Sequence, residues 1–167
     1  MRFYVIPLIG VLLFYLDSLL TRLSPLNLFN ETFIIVPRLT FLYLLIIAVY
    51  KNPKVAIILA IVTGIFTDIY YGGIYGVYTF GYATFVIMMD KLFKVFYRDI
   101  LMMVILLISS VVLLEIWVMV FYGFLGIVSI NIGQIILFRL IPTVIFNLIC
   151  LIIIFPFVLK LLERNTN

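Results

Sequence analysis

At 167 residues, 67% of them hydrophobic and 11% charged, with a mean hydropathy of +1.39, the chain has the composition of an integral membrane protein and of no soluble domain. Its net charge of +4 sits in short intervals between apolar runs, so it is no nucleic-acid signal and no nucleic-acid partner is expected. The absence of histidine excludes Ser-His-Asp and Cys-His catalysis and the HExxH zinc site. The single cysteine, Cys150, lies in an apolar run; it cannot form an intrachain disulfide and reads as a small buried side chain.

Taken in chain order, six segments approach the roughly 20 apolar residues that a helix needs to cross a bilayer: 3–23, 33–50, 54–71, 74–90, 100–122 and 134–159. The sequence therefore predicts an all-α polytopic protein of six transmembrane helices, forming one integral membrane domain over residues 1–167. The first segment has the basic start of a signal peptide in Arg2 and an apolar stretch over 5–14. No small-x-small cleavage site follows and the apolar character continues past Leu20, so it reads as a retained span. The third and fourth segments are short and joined through Tyr71-Gly72-Gly73, which leaves a single re-entrant hairpin as the alternative there.

The intervals between spans set the orientation. Arg2, Lys51, Lys54, Lys91, Lys94, Arg98, Lys160 and Arg164 all fall on one side of the six-span arrangement, and the opposite intervals, 24–32, 72–73 and 123–133, hold no Lys or Arg. The positive-inside rule places both termini in the cytoplasm. The remaining charges are Glu31, in an outer interval, and six residues within or at the ends of the spans: Asp17, Arg22, Arg38, Asp68, Glu115 and Arg139. With this orientation all six occupy the outer half. A charge at membrane depth costs at least a few kcal/mol, so such groups face the bundle and pair. The expectation is an ion-paired cluster of Arg38, Asp68, Glu115 and Arg139, with Asp17 and Arg22 at its edge. It is either a packing device or a pocket for a ligand or a partner's polar residue.

Two stripes of four-residue period point to the same end. Ala56, Ala60, Gly64, Asp68 and Gly72 give the third span one narrow face for close helix approach. Arg139, Thr143 and Asn147 give the last span a polar face directed inward. Tyr70, Tyr71, Tyr75, Tyr78 and Tyr82 read as an interfacial aromatic belt, with stacking on a ligand as the alternative. No Gly-rich phosphate loop and no metal-ligand spacing occurs, and Asp68 follows Ile-Phe-Thr instead of the Gly-x-Gly of intramembrane aspartyl proteases. The expectation is a protein without enzymatic activity, cofactor or metal.

The run PRLTFLYLLIIAVYKNPKVAIILAIVTGIFTDIYYGGIYGVYTFGY, with its Gly-x-x-x-Asp stretch and Gly-rich turn, resembles the bacterial rod shape-determining MreD family. So does LIPTVIFNLICLIIIFPFVLKLL, with Pro142, Asn147 and Pro156. The resemblance covers nearly the whole chain. It implies a non-catalytic, multi-pass scaffold in the bacterial cytoplasmic membrane. Such a scaffold works in lateral wall elongation with MreC, the actin-like MreB, the glycosyltransferase RodA and a class B penicillin-binding protein. MreC would engage it most directly, in the lipid bilayer, and a homo-oligomer stays open. The resemblance also implies a fold similar to the substrate-binding subunits of energy-coupling-factor transporters. The alternative function is therefore a small-molecule-binding subunit of a membrane transporter. Spans one and two lack the Ala-x-x-x-Ala or Gly-x-x-x-Gly motif by which a coupling module would recognise such a subunit.

Overall fold

The computed structural model describes residues 4–24, 26–28, 31–71, 74–96, 100–126 and 132–163. Among the described residues the chain is mostly helical, with one short ribbon. Helix α1 spans Val5–Leu23 and is followed by strands β1 (Leu26–Leu28) and β2 (Glu31–Phe33). Then come α2 (Leu39–Tyr50), α3 (Pro53–Tyr71), α4 (Val77–Phe96) and α5 (Ile100–Phe124). The last unit is α6 (Ile132–Ile135), a π turn (Ile136–Leu140) and α7 (Ile141–Glu163), which run on from one another. The strands pair antiparallel, Leu26 opposite Phe33 and Leu28 opposite Glu31.

Each of the six apolar segments holds a helical unit, but by length and composition four are able to cross a membrane: Val5–Leu23, Pro53–Tyr71, Ile100–Phe124 and Gly133–Val158. The second segment departs most from its expected form. A helix is predicted over 33–50; the observed one starts at Leu39 and is only 12 residues long. Pro37 is the cause. It has no N–H to give, and its ring pushes the preceding residue out of the helical region. Arg38 still has non-helical dihedrals, φ −133° and ψ 39°. Residues 34–38 thus form a non-helical stretch between the ribbon and α2. The fourth segment also differs, because α4 runs on to Phe96 and carries Asp90, Lys91 and Lys94 along its final turns.

Helix α2 is the centre of the molecule. Every residue from Leu39 to Ala48 is buried, so the helix needs no polar face and has almost none. It packs against α1, α3, α4, α5 and α7, which surround it. Each neighbour offers one stripe. On α1 the buried residues are Ile6, Gly10, Leu13, Asp17 and Ser18; on α5 they include Met103, Leu107, Val111, Leu114, Glu115 and Val118. Both sets recur at three- and four-residue steps, which keeps them on one helical face. The outward faces of these helices are apolar and exposed, as suits contact with lipid: Leu8, Leu12 and Tyr15 on α1, Ile105 and Val120 on α5.

Helices α3 and α4 form the most extensive helix–helix contact. The small-residue stripe is the reason. Ala56 and Ala60 are fully buried, and a Cβ built on Gly64 would come within 2.6 Å of the Thr79 Cα. Only glycine permits that approach of backbone to backbone. The fourth stripe position, Gly72, lies outside the described residues. With 19 and 20 residues, α3 and α4 are two full helices packed side by side.

Candidate functional site: a braced polar layer at the ribbon end

The non-helical stretch at 34–38 and the first turn of α2 leave a run of backbone N–H groups without helical partners. In an apolar setting each unpaired group costs several kcal/mol, so the sequence must supply acceptors. It does so from four elements. The Ile34 N–H donates to the Phe138 carbonyl of the π turn at 2.8 Å. The Ile35 N–H donates to Ser24 Oγ (2.8 Å) and the Val36 N–H to Thr143 Oγ1 (3.1 Å). Pro37 has none to give. The Arg38 N–H donates to Asn147 Oδ1 (2.8 Å), while Asn147 Nδ2 returns a bond to the Val36 carbonyl (2.9 Å). Asp17 then closes the series: Leu39 N–H donates to its Oδ1 at 2.8 Å and Thr40 N–H to its Oδ2 at 2.9 Å. A carboxylate at that point caps α2 and meets the positive end of its dipole.

Asp68 has the same role two helices further on, at α4. Its Oδ2 accepts from Gly76 N–H (2.9 Å), Thr79 N–H (3.1 Å) and Thr79 Oγ1, and its Oδ1 from Tyr78 N–H (2.9 Å). It reaches across from the last turn of α3 to cap the start of α4. Gly76 holds φ +102° there, which a side chain would resist.

The ion pairs are narrower than the expected cluster. Arg38 Nη2 lies 2.6 Å and its Nε 2.7 Å from Glu115 Oε1. Arg139 Nη2 lies 3.2 Å from Glu115 Oε2. Arg38 and Glu115 are 2% and 0% exposed, which makes the pair a core feature and not a surface one. The structure therefore brings Arg38, Glu115 and Arg139 together. Asp17 and Asp68 stand apart from them as helix caps, and among the described residues neither forms an ion pair. The physical reason is that a broken helix and a helix start each offer several N–H donors, which hold a carboxylate as firmly as a guanidinium would. Arg22 is also outside the triad: it is exposed and donates to Tyr70 Oη at 2.8 Å.

Sequence reasoning missed several members of this layer. Tyr78 and Tyr82, expected in an interfacial belt, are buried. Tyr78 lies under the Arg38 guanidinium, whose carbon is 5.0 Å from the ring centroid, and Tyr82 stacks on Phe41 at 5.2 Å. Tyr75, 80% exposed, and the less exposed Tyr70 stay at the surface. Ser24 gave no signal, because a serine after a span reads as a loop residue. Cys150 is only half-buried. Thr143 and Asn147 are fully buried, on the inward face their spacing indicated. Among the described residues no group of three His, Cys, Asp or Glu side chains is placed to hold a metal ion.

The model of the family described as "rod shape-determining protein MreD" matches residues 1–165 of this chain. The chain belongs to that family. A curated relative, the "Rod shape-determining protein MreD" of Bacillus subtilis (strain 168), is 28% identical over 158 residues, covering 94% of this chain and 92% of the relative. No solved structure matches. Family membership gives the chain a role in determining rod shape, and its apolar helices make it a membrane protein.

Proposed function

We propose that this protein is a non-catalytic membrane scaffold of the lateral wall-elongation complex, with MreC its direct partner and MreB, RodA and a class B penicillin-binding protein in the same assembly. In this reading all six helical units cross the bacterial cytoplasmic membrane, both termini lie in the cytoplasm and the ribbon end faces outward. The single observation that carries it is the internal use of the buried polar groups. Asp17 and Asp68 are held by helix starts, Glu115 by two arginines, and Thr143 and Asn147 by the non-helical stretch. A general base or nucleophile has to be free to reach a substrate, and these groups are spent on holding the fold. A rigid layer at one end, with exposed apolar helix faces around it, suits docking of a partner's membrane helix. The likeness to the substrate-binding subunits of energy-coupling-factor transporters belongs to the same proposal, as a likeness of helix arrangement.

Purification of the tagged chain from its native host in mild detergent, with mass spectrometry of what accompanies it, tests the reading. The scaffold predicts recovery of MreC together with wall-synthesis enzymes. Recovery of an ATPase pair and a coupling protein instead would refute it in favour of the small-molecule-binding transporter subunit.

A further inference from the structure

The triad of Arg38, Glu115 and Arg139 does not balance. It holds two guanidiniums and one carboxylate. Arg38 takes Glu115 Oε1 through two nitrogens and rests on Tyr78, so its charge is compensated and its surroundings are closed. Arg139 has a single, longer bond to the other oxygen. Among the described residues its Nε, a buried atom, has no hydrogen-bond partner, and the side chain as a whole is 27% exposed, so the guanidinium keeps one edge without a bond while the side chain reaches the surface in part. Of the acids whose side chains are described, Asp17 and Asp68 are committed to α2 and α4. The chain between Glu115 and Arg139 contains no Asp or Glu.

The surroundings indicate what approaches that edge. Arg139 sits in the π turn at the head of the last span, at the ribbon end of the bundle. Its neighbours Ile136, Leu137 and Ile141 are exposed and apolar, as is Ile116 beside Glu115. A cation with spare donors, at the head of a span and flanked by lipid-facing apolar residues, matches an amphiphile with an anionic head above acyl chains. Arginine's planar fork binds phosphate oxygens through two parallel bonds. We propose that Arg139 is the receptor for a phosphate group, supplied by the headgroup of an anionic phospholipid in the leaflet at the ribbon end. Glu115 orients the guanidinium, and its charge is already cancelled by Arg38, so it does not repel the phosphate. This inference requires only that the chain lies in a membrane, so it stands or falls separately from the scaffold reading.

Thermal unfolding of the purified full chain in dodecyl maltoside reads it, with dihexanoyl phosphatidylglycerol, dihexanoyl phosphatidylcholine or inorganic phosphate added. Phosphatidylglycerol should raise the midpoint by on the order of 5 °C, by mass action on the folded state; phosphatidylcholine and inorganic phosphate should do much less. Arg139→Gln should abolish the rise. Lys94→Gln, which removes the same charge at the opposite end, should keep it. Arg139→Lys keeps a cation beside Glu115 and should give a reduced rise, which serves if the Gln variant does not fold. An equal response to inorganic phosphate would uphold phosphate recognition and overturn the lipid as its source. An equal lipid response in wild type and Arg139→Lys, or no response to any anion, would overturn the proposal; the second result would leave the free edge to a partner's carboxylate.

Discussion

At the scale of single residues, the deciding contact is Glu115 between Arg38 and Arg139. A buried ion pair adds little net stability, because desolvation offsets most of the Coulomb gain, but removing one member leaves a charge with nothing to meet it. Glu115→Gln should therefore cost about 3–5 kcal/mol, read as a fall in the detergent unfolding midpoint. The double variant Arg38→Met with Glu115→Leu should recover part of that loss, since the fully buried pair is gone and only the partly exposed Arg139 is left without its carboxylate. If the single and double variants are equally unstable, the pair is needed for its shape and not for mutual neutralisation. Asp68 raises the opposite issue: a lone carboxylate among apolar residues invites an ion-pair reading, yet its four bonds come from Gly76, Tyr78 and Thr79.

At the scale of elements, the non-helical stretch before α2 explains why polar residues recur at the same depth on α1, α5 and the last span. Asn147 is the test case, because it bonds both the Arg38 N–H and the Val36 carbonyl. Asn147→Leu keeps the branched outline of the side chain and removes both partners. Each orphaned backbone group costs about 1–3 kcal/mol, and hydrogen exchange at Arg38 should accelerate while that in the middle of α3 stays slow. Unchanged exchange at Arg38 would mean that Asn147 is not what holds the stretch. Much of this layer was legible in the sequence. The four-residue steps of Ala56, Ala60 and Gly64 marked the face that meets α4, and those of Arg139, Thr143 and Asn147 marked the inward face of the last span. What stayed hidden was the partner of each group. Periodicity says which way a side chain points and not whether a carboxylate meets an arginine or an N–H. Pro37 did carry the signal for the late start of α2, but the apolar run around it outweighed one residue.

At the scale of the whole molecule, a short central helix wrapped by five longer ones has a consequence for membrane crossing. Helix α2 alone, at 12 residues and about 18 Å, falls short of the roughly 30 Å hydrocarbon core. In the proposed six-span topology the non-helical stretch at 34–38 ahead of it supplies the rest of the crossing. Broken spans of this kind are tolerated only where protein covers the irregular backbone, and here every backbone N–H from Ile34 to Thr40 has an acceptor. The central claim is that the second and fourth units cross the bilayer with the rest, so that the charged layer lies outside and the Lys51–Lys54 turn inside. Single cysteines in a Cys150→Ala background, treated in intact cells with a membrane-impermeant thiol reagent, test it most directly. A cysteine at Asn131 should be labelled and one at Asn52 should be protected until the cells are opened. Labelling at Asn52 in intact cells would contradict the account, because it would mean that the second helical unit returns to the side it came from and that the chain crosses fewer times.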